Sequence, residues 1–134
     1  MAMTESSRVL IYGNDPVLLQ TRRTLLLKAG FEVWETMDVE EIGPILSLHD
    51  VHVIVLCHSL TEEQCKGVFE ITRPYEGRMK RLVLAATTYC WTAEVGDEIL
   101  SIFEGPQALI DKVRTMKESY LPERVSVPVA CPAV

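Results

Sequence analysis

The stretch of sequence that decides the fold is RVLIYGNDPVLLQTRRTLLLKAGFEV, residues 8–33. It opens with the run RVLIY, whose continuous apolar character predicts a β-strand. Gly13-Asn14-Asp15-Pro16 follows, and cap-type residues before a proline are typical of the first turn of a helix. Apolar residues then recur near helical spacing as far as Gly30, a residue type that commonly ends helices. The stretch therefore predicts a strand, a helix and the start of a second strand.

The rest of the chain repeats this alternation of strand and helix. Further strands are predicted at residues 31–36, 51–57, 81–86 and 98–102. The weak period-two pattern of the first is typical of an edge strand, whereas the continuous apolar run at 51–57 indicates a central strand that is covered on both faces. Strands that alternate with helices favour a parallel sheet. The predicted fold class is therefore α/β, with a doubly wound, five-stranded parallel sheet.

Capping signals mark two of the remaining helices. Thr61 with Gln64 and Asp38 with Glu41 have the spacing of a capping box, in which two residues satisfy free N–H groups of the first turn. Gly43-Pro44 is expected to break or kink the helix that Asp38 begins. Between the fourth and fifth strands the chain is too short for more than one or two helical turns, so a shortened fourth helix is expected.

Length and charge limit the classes of function. The chain has 134 residues, with 13 Lys and Arg against 19 Asp and Glu, which gives a formal net charge of −6. We expect one domain at 8–118 and an apolar, proline-containing tail at 119–134. Without a concentrated basic face, no nucleic acid partner is expected. No signal peptide or membrane-spanning run is visible, which favours a cytoplasmic protein with no membrane partner.

Two stretches carry a resemblance to a known family. Residues 8–33 and the segment EILSIFEGPQALIDKVR, residues 98–114, are similar to the first and last parts of the response-regulator receiver domain of two-component signalling. The resemblance covers about residues 8–117. It implies the flavodoxin-like receiver fold with strand order 2-1-3-4-5.

The resemblance also implies where a phosphorylation site would lie. Receivers hold Mg²⁺ with two acidic residues after the first strand and an aspartate at the end of the third, and this aspartate takes the phosphoryl group. A Thr or Ser after the fourth strand and a Lys after the fifth contact the phosphoryl oxygens. This chemistry needs hard oxygen ligands, a carboxylate nucleophile and a cation.

The matching positions of this sequence lack those residue types. They carry, in chain order, Gly13, Asn14, Cys57, Ala86 and Ile102, with Ala85 or Thr87 as alternatives for the fourth. Asp15, the acid left beside the site, is expected to cap the first helix. The resemblance therefore implies a degenerate pseudo-receiver with no Mg²⁺, no other cofactor, no phosphoryl group and no enzymatic activity.

The leading hypothesis is a stand-alone signal-transduction module, related to two-component phosphorelays, that acts through phosphorylation-independent protein–protein contacts. Its expected partners are other signalling proteins, or a second copy bound through the last helix and the tail. Tyr89 and Trp91 are candidate partner contacts because aromatic residues are enriched at such interfaces; covering the core is the equal alternative. The tail, with valines at 125, 127 and 129, is expected either to dock as an extended strand or to fray.

A thiol-based redox or metal sensor is the alternative hypothesis. Cys57 and His58 follow the third strand and Cys90 follows the fourth, and thiolate and imidazole are ligands that suit zinc or copper. Against this, a buried cysteine is commonly a small apolar core residue. A flavodoxin-like site for a small ligand at Gly13-Asn14 is weaker still, because no glycine-rich loop is present.

Other polar residues have simpler expected roles. His49 and His52 flank the start of the third strand, at the opposite end of the sheet from Cys57, and are expected to lie on the surface. Arg78, Lys80 and Arg81 precede or begin the fourth strand and are expected to form a solvated rim.

Overall fold

The computed structural model describes residues 7–75, 77–86 and 98–118. The strands in these ranges are β1 (Arg8–Tyr12), β2 (Glu32–Thr36), β3 (Val53–Leu56), β4 (Lys80–Ala85) and β5 (Glu98–Ser101). The α-helices are α1 (Pro16–Lys28), α2 (Ile42–Leu48), α3 (Glu62–Thr72) and α4 (Pro106–Glu118). Short 3-10 turns lie at Val39–Glu41, Arg73–Tyr75 and Ile102–Glu104. The shortened helix expected between the fourth and fifth strands falls at 87–97, outside the described residues.

The strands form one parallel sheet in the order β2-β1-β3-β4-β5. This confirms the predicted fold class and strand order. All four residues of β3 are buried and β3 is the middle strand, as its continuous apolar run predicted. β2 lies at one edge, in agreement with its weaker alternating pattern.

Two apolar layers hold the helices on the sheet. On one face, α1 and α4 contribute Leu19, Leu26, Leu109 and Val113 to a core that also contains Cys57. On the other face, α2 and α3 contribute Ile42, Leu46, Val68 and Phe69. No helix in the described part of the chain is long and apolar enough to span a membrane.

Side-chain caps begin α1 and α3 as the sequence predicted. The Asp15 carboxylate accepts hydrogen bonds from the N–H groups of Val17 and Leu18, at 3.0 and 3.3 Å. Thr61 and Gln64 form the predicted capping box. Both caps lie at the carboxyl edge of the sheet, so they also fix the loops that follow β1 and β3.

The start of the second helix differs from the prediction. Asp38 accepts from the N–H of Glu40, but the Glu41 carboxylate accepts from the Thr36 hydroxyl, so its side chain is engaged by β2. Gly43-Pro44 does not break the helix, since it lies in the first turn of α2. A proline is tolerated there because first-turn N–H groups have no helical partner.

Arg81 corrects the prediction of a solvated basic rim. Its side chain is buried, at 6% exposure, and Nη1 donates to the Thr72 hydroxyl oxygen at 2.9 Å. The guanidinium carbon lies 4.7 Å from the centre of the Phe69 ring. Because β4 is covered on both faces, a charged side chain within it has no route to solvent and needs partners in the core. Arg78, by contrast, is exposed as expected.

Candidate functional site

The carboxyl edge of the sheet brings together the positions singled out in the sequence. Gly13 and Asn14 follow β1, Cys57 follows β3 and Ile102 follows β5. The backbone continues the sheet hydrogen bonding at these points, since the N–H of Cys57 donates to the Tyr12 carbonyl at 3.0 Å. The carboxyl edge of an open parallel sheet is where ligand crevices form in this architecture.

Cys57 fills the space above Gly13. A Cβ atom added at Gly13 would meet the Cys57 Cβ at 2.9 Å and Sγ at 3.0 Å. Both residues are buried, and Cys57 is 4% exposed. A carboxylate side chain at position 13 therefore has no room while Cys57 holds this place.

The hydrophobic residues after β5 take different places. Ile102 is half-buried and packs against the same core as Cys57. Phe103 is 78% exposed and points to solvent. Ala86, directly after β4, is also exposed. The carboxyl edge is thus lined partly by apolar atoms at the position where a receiver carries its lysine.

Asn14 ties the loop after β1 to the loop after β3. Its backbone N–H donates to the Ser59 hydroxyl, and its side-chain Nδ2 donates to the Ser59 carbonyl, both at 3.0 Å. Asn14 and Gln64 also exchange two amide hydrogen bonds, of 2.7 and 2.9 Å. We call the bonds that Asn14 makes to Ser59 and Gln64 the amide latch. The latch connects the two loops that a receiver joins through Mg²⁺, and it does so with neutral groups.

Arg22 of α1 is a site residue that the sequence analysis did not identify. Its guanidinium lies close enough to interact with both Cys57 and His58. Arg22 Nη1 and His58 Nδ1 are both buried and have no hydrogen-bond partner in the described part of the chain. Spacing could have signalled its position, because Arg22 follows Asp15 by seven residues, about two helical turns, on the same face of the helix.

The ionisation of Cys57 and His58 reflects these surroundings. Burial raises the pKa of the Cys57 thiol, and the nearby Arg22 guanidinium opposes that effect without cancelling it. Burial also lowers the pKa of His58, and the positive charge of Arg22 lowers it further. Near neutral pH the site therefore holds a protonated thiol and a neutral imidazole beside one permanent cation.

The structure describes two of the three residues proposed for a thiol or metal site, and these two, Cys57 and His58, are adjacent in the chain at the carboxyl edge. Cys65, which was not a candidate, belongs to the core on the opposite face of the sheet from Cys57. Cys90 lies outside the described residues. Among the residues that the structure covers, no group of three His, Cys, Asp or Glu side chains could hold a metal ion.

Other candidates from the sequence also fall outside the described ranges: Thr87, Tyr89, Trp91 and the tail at 119–134. The histidines at the amino edge are described. His49 stacks on Trp34, with ring centres 4.3 Å apart, and His52 Nδ1 accepts from the Arg8 N–H at 3.0 Å. Both are half-buried. They lie at the far end of the sheet from Cys57, because they precede β3 and Cys57 follows it.

Several solved structures of receiver domains have the same architecture. The chain is similar to a CheY-like receiver domain protein from Methanospirillum hungatei, with TM-score 0.74 and 16% identity over 87% of this chain and 97% of that one. It is similar to the receiver domain of a Francisella response regulator, with TM-score 0.68 and 17% identity over 85% and 98%. An orphan response regulator of Helicobacter pylori matches with TM-score 0.69 and 16% identity over 84% and 97%.

These similarities establish the fold of the chain: it is the CheY-like receiver fold. At the level of sequence, no family model matches the chain, and no curated protein matches it.

Proposed function

We propose that this protein is a degenerate receiver, a cytoplasmic and non-enzymatic signalling module that works through protein–protein contacts without being phosphorylated. The receiver fold supports the signalling class, and the residues at the carboxyl edge support the loss of phosphorylation. Each of the two parts of the proposal has its own test.

The observation that carries the proposal is the contact between Gly13 and Cys57. A receiver that binds Mg²⁺ needs carboxylates at these two positions, and here the two side chains are a hydrogen atom and a thiol in mutual contact. Thiols are poor ligands for Mg²⁺, which prefers oxygen. Asp15 does not replace the missing acids, because its carboxylate is bonded to the first turn of α1.

A phosphodonor assay tests the first part. The full chain is incubated with acetyl phosphate and Mg²⁺ and its intact mass is measured, with an active receiver domain in a parallel reaction. We expect the active receiver to gain a phosphoryl group and this chain to keep its mass. A phosphoryl adduct on this chain would overturn the proposal.

Exposed apolar side chains support the second part. Phe103 is 78% exposed on the turn after β5, and Ile99 on β5 is 46% exposed. Isolated exposed residues are common, but an aromatic ring beside the carboxyl edge is a suitable anchor for a partner protein. Tyr89 and Trp91, which lie outside the described residues, remain proposed partner contacts.

Site-specific photocrosslinking in cells tests this surface. A photoreactive amino acid is placed at Phe103 and, as a control, at Arg23, an exposed residue of α1. We expect a discrete adduct at position 103 and none at position 23. Peptide mapping of the adduct by mass spectrometry identifies the partner: peptides of this chain alone indicate a homodimer, and peptides of a second protein identify that protein. Equal labelling at the two positions would contradict a specific surface.

The thiol alternative receives no support from the site. A buried thiol whose pKa is raised carries little thiolate, the reactive form. Alkylation by iodoacetamide at pH 7, mapped by mass spectrometry, measures this directly. We expect slow modification of Cys57 in the folded chain and fast modification in urea, whereas rapid labelling of folded Cys57 would restore the thiol hypothesis.

A further inference from the structure

A cavity of about 820 Å³ opens at the amino edge of the sheet, opposite the carboxyl edge. Its size falls within the range of about 300–1,000 Å³ that is usual for small-molecule sites. The lining includes Leu46, Val51 and Met79, which are buried and apolar. The cavity lies where α2 ends, where β1 begins and where the chain enters β4.

Two arginines from different elements line this cavity. Arg8 belongs to the start of β1, and Arg78 precedes β4. Arg8 pairs with Glu32 at 3.3 Å, so the Glu32 carboxylate offsets its charge beside the cavity. Arg78 lies 5.3 Å from the centre of the Tyr75 ring, and no described carboxylate is within ion-pair distance of it.

Asp50 is the acidic residue among the described lining residues. It opposes an anion, as do the carbonyl groups at the end of α2, which carry partial negative charge. Since Glu32 offsets Arg8, the cation left to hold an anion is Arg78, which has no carboxylate within ion-pair distance among the described residues.

We propose that this cavity binds a small organic anion, with the apolar body of the ligand against Leu46, Val51 and Met79 and its acidic group beside Arg78. Small-molecule sites combine apolar walls with a few polar groups that orient the ligand; polar residues make up the larger part of this lining, and Leu46, Val51 and Met79 supply an apolar part. A guanidinium group suits this role because it offers planar paired donors to carboxylate, sulfonate or phosphate oxygens. The proposal concerns a site separate from the degenerate receiver site, so either can fail while the other stands.

A matched pair of probes tests the charge requirement on the full chain. The dissociation constants of 2-naphthalenesulfonate and of the uncharged 2-naphthalenemethanol are measured by NMR titration. We expect the sulfonate to bind at least about threefold tighter than the alcohol, because an anion gains charged contacts that the alcohol lacks. The shifted signals are expected at Val51, Arg78 and Met79. Equal binding of the two probes, no binding, or shifts confined to the carboxyl edge would overturn the proposal.

Two variants, one that removes a positive charge and one that removes a negative charge, make the test specific. Arg78→Gln should remove most of the preference for the sulfonate, and Asp50→Asn should increase sulfonate affinity about twofold. Arg23→Gln, which removes an exposed arginine that does not line the cavity, should change neither affinity. Both Arg78 and Asp50 are exposed, so the variants should fold. Circular dichroism of each variant checks this. An unchanged preference in Arg78→Gln, or weaker sulfonate binding in Asp50→Asn, would overturn the assignment.

Discussion

Asn14 and Gln64 join two loops of the receiver fold through a reciprocal pair of amide hydrogen bonds, 2.7 and 2.9 Å long, across 50 positions of sequence. The same Gln64 side chain accepts from the Thr61 N–H in the capping box of α3. One amide therefore both begins a helix and holds the neighbouring loop. The stability of the carboxyl edge should depend on this pair.

Asn14→Asp tests the amide latch. The substitution replaces the Nδ2 donor by a carboxylate oxygen. This oxygen cannot donate to the Ser59 carbonyl and repels it instead. We expect the free energy of unfolding to fall by about 1–2 kcal/mol, measured by urea denaturation. Gln107→Glu is the matched control, because Gln107 donates to Asp111 on the exposed face of α4. That change should cost only about 0.2–0.5 kcal/mol, and an equal cost at the two positions would argue against the latch.

Gly13→Ala tests the contact with Cys57. The new methyl group would lie 2.9 Å from the Cys57 Cβ, and overpacking of this kind typically costs about 1–3 kcal/mol of unfolding free energy. In a Cys57→Gly background the same substitution should cost less, because the opposing atoms are gone. Gly67→Ala in α3 is the control: a Cβ there meets the Val39 side chain at 3.6 Å, which is ordinary van der Waals contact, and the helix should gain about 0.5–1 kcal/mol.

Thr72→Val tests the hydrogen bond between the buried Arg81 and Thr72. Valine keeps the shape of threonine but removes the oxygen that accepts from Arg81 Nη1. We expect the free energy of unfolding to fall by about 1–3 kcal/mol, because this buried donor loses an acceptor. Thr21→Val removes a hydroxyl that bonds to the Val17 carbonyl on the exposed side of α1, so its effect should stay within about 0.5 kcal/mol. Similar losses in both variants would show that Arg81 does not need Thr72.

His58 should make the folded state sensitive to acid. Since burial and Arg22 hold its pKa below 6.5, the unfolded chain takes up a proton first as the pH falls. The contribution of His58 to the free energy of unfolding is therefore complete above pH 6.5 and is lost as the pH falls toward the folded pKa.

An NMR titration of the imidazole signals measures this effect. The His58 midpoint should lie below 6.5 in the wild-type chain and should rise in Arg22→Gln, in which the nearby positive charge is gone. Arg23→Gln, the adjacent exposed arginine of α1, should leave it unchanged. If the His58 midpoint were the same in Arg22→Gln as in the wild-type chain, the charge of Arg22 would not contribute to the lowered pKa of His58.

The sequence predicted the fold because the signals for the fold are local. Alternating apolar runs, the Asp15 cap and the Thr61–Gln64 box each act within a few residues, and the parallel order follows from the alternation of strands and helices. Even the failed prediction at Gly43-Pro44 was local: it concerned where the helix starts rather than whether one forms.

The site was predictable only as a set of positions. The sequence indicated which residues meet at the carboxyl edge, but not that Cys57 packs on Gly13 or that Asn14 pairs with Gln64. These contacts depend on the spacing of separate elements to within a fraction of an ångström. The inward turn of Arg81 was also missed, because its partners Thr72 and Phe69 lie on another element, and composition alone favours charged groups at the surface.

The amide latch has a consequence for how information could pass through this fold. A crevice bridged by a metal ion depends on the supply of that ion, and a phosphorylated one depends on a kinase. Two neutral amides depend on neither, so no metal supply or kinase is needed to join these loops. For the degenerate receiver proposed above, the link between the two loops would then be a fixed property of the folded chain rather than a state that a signal switches on.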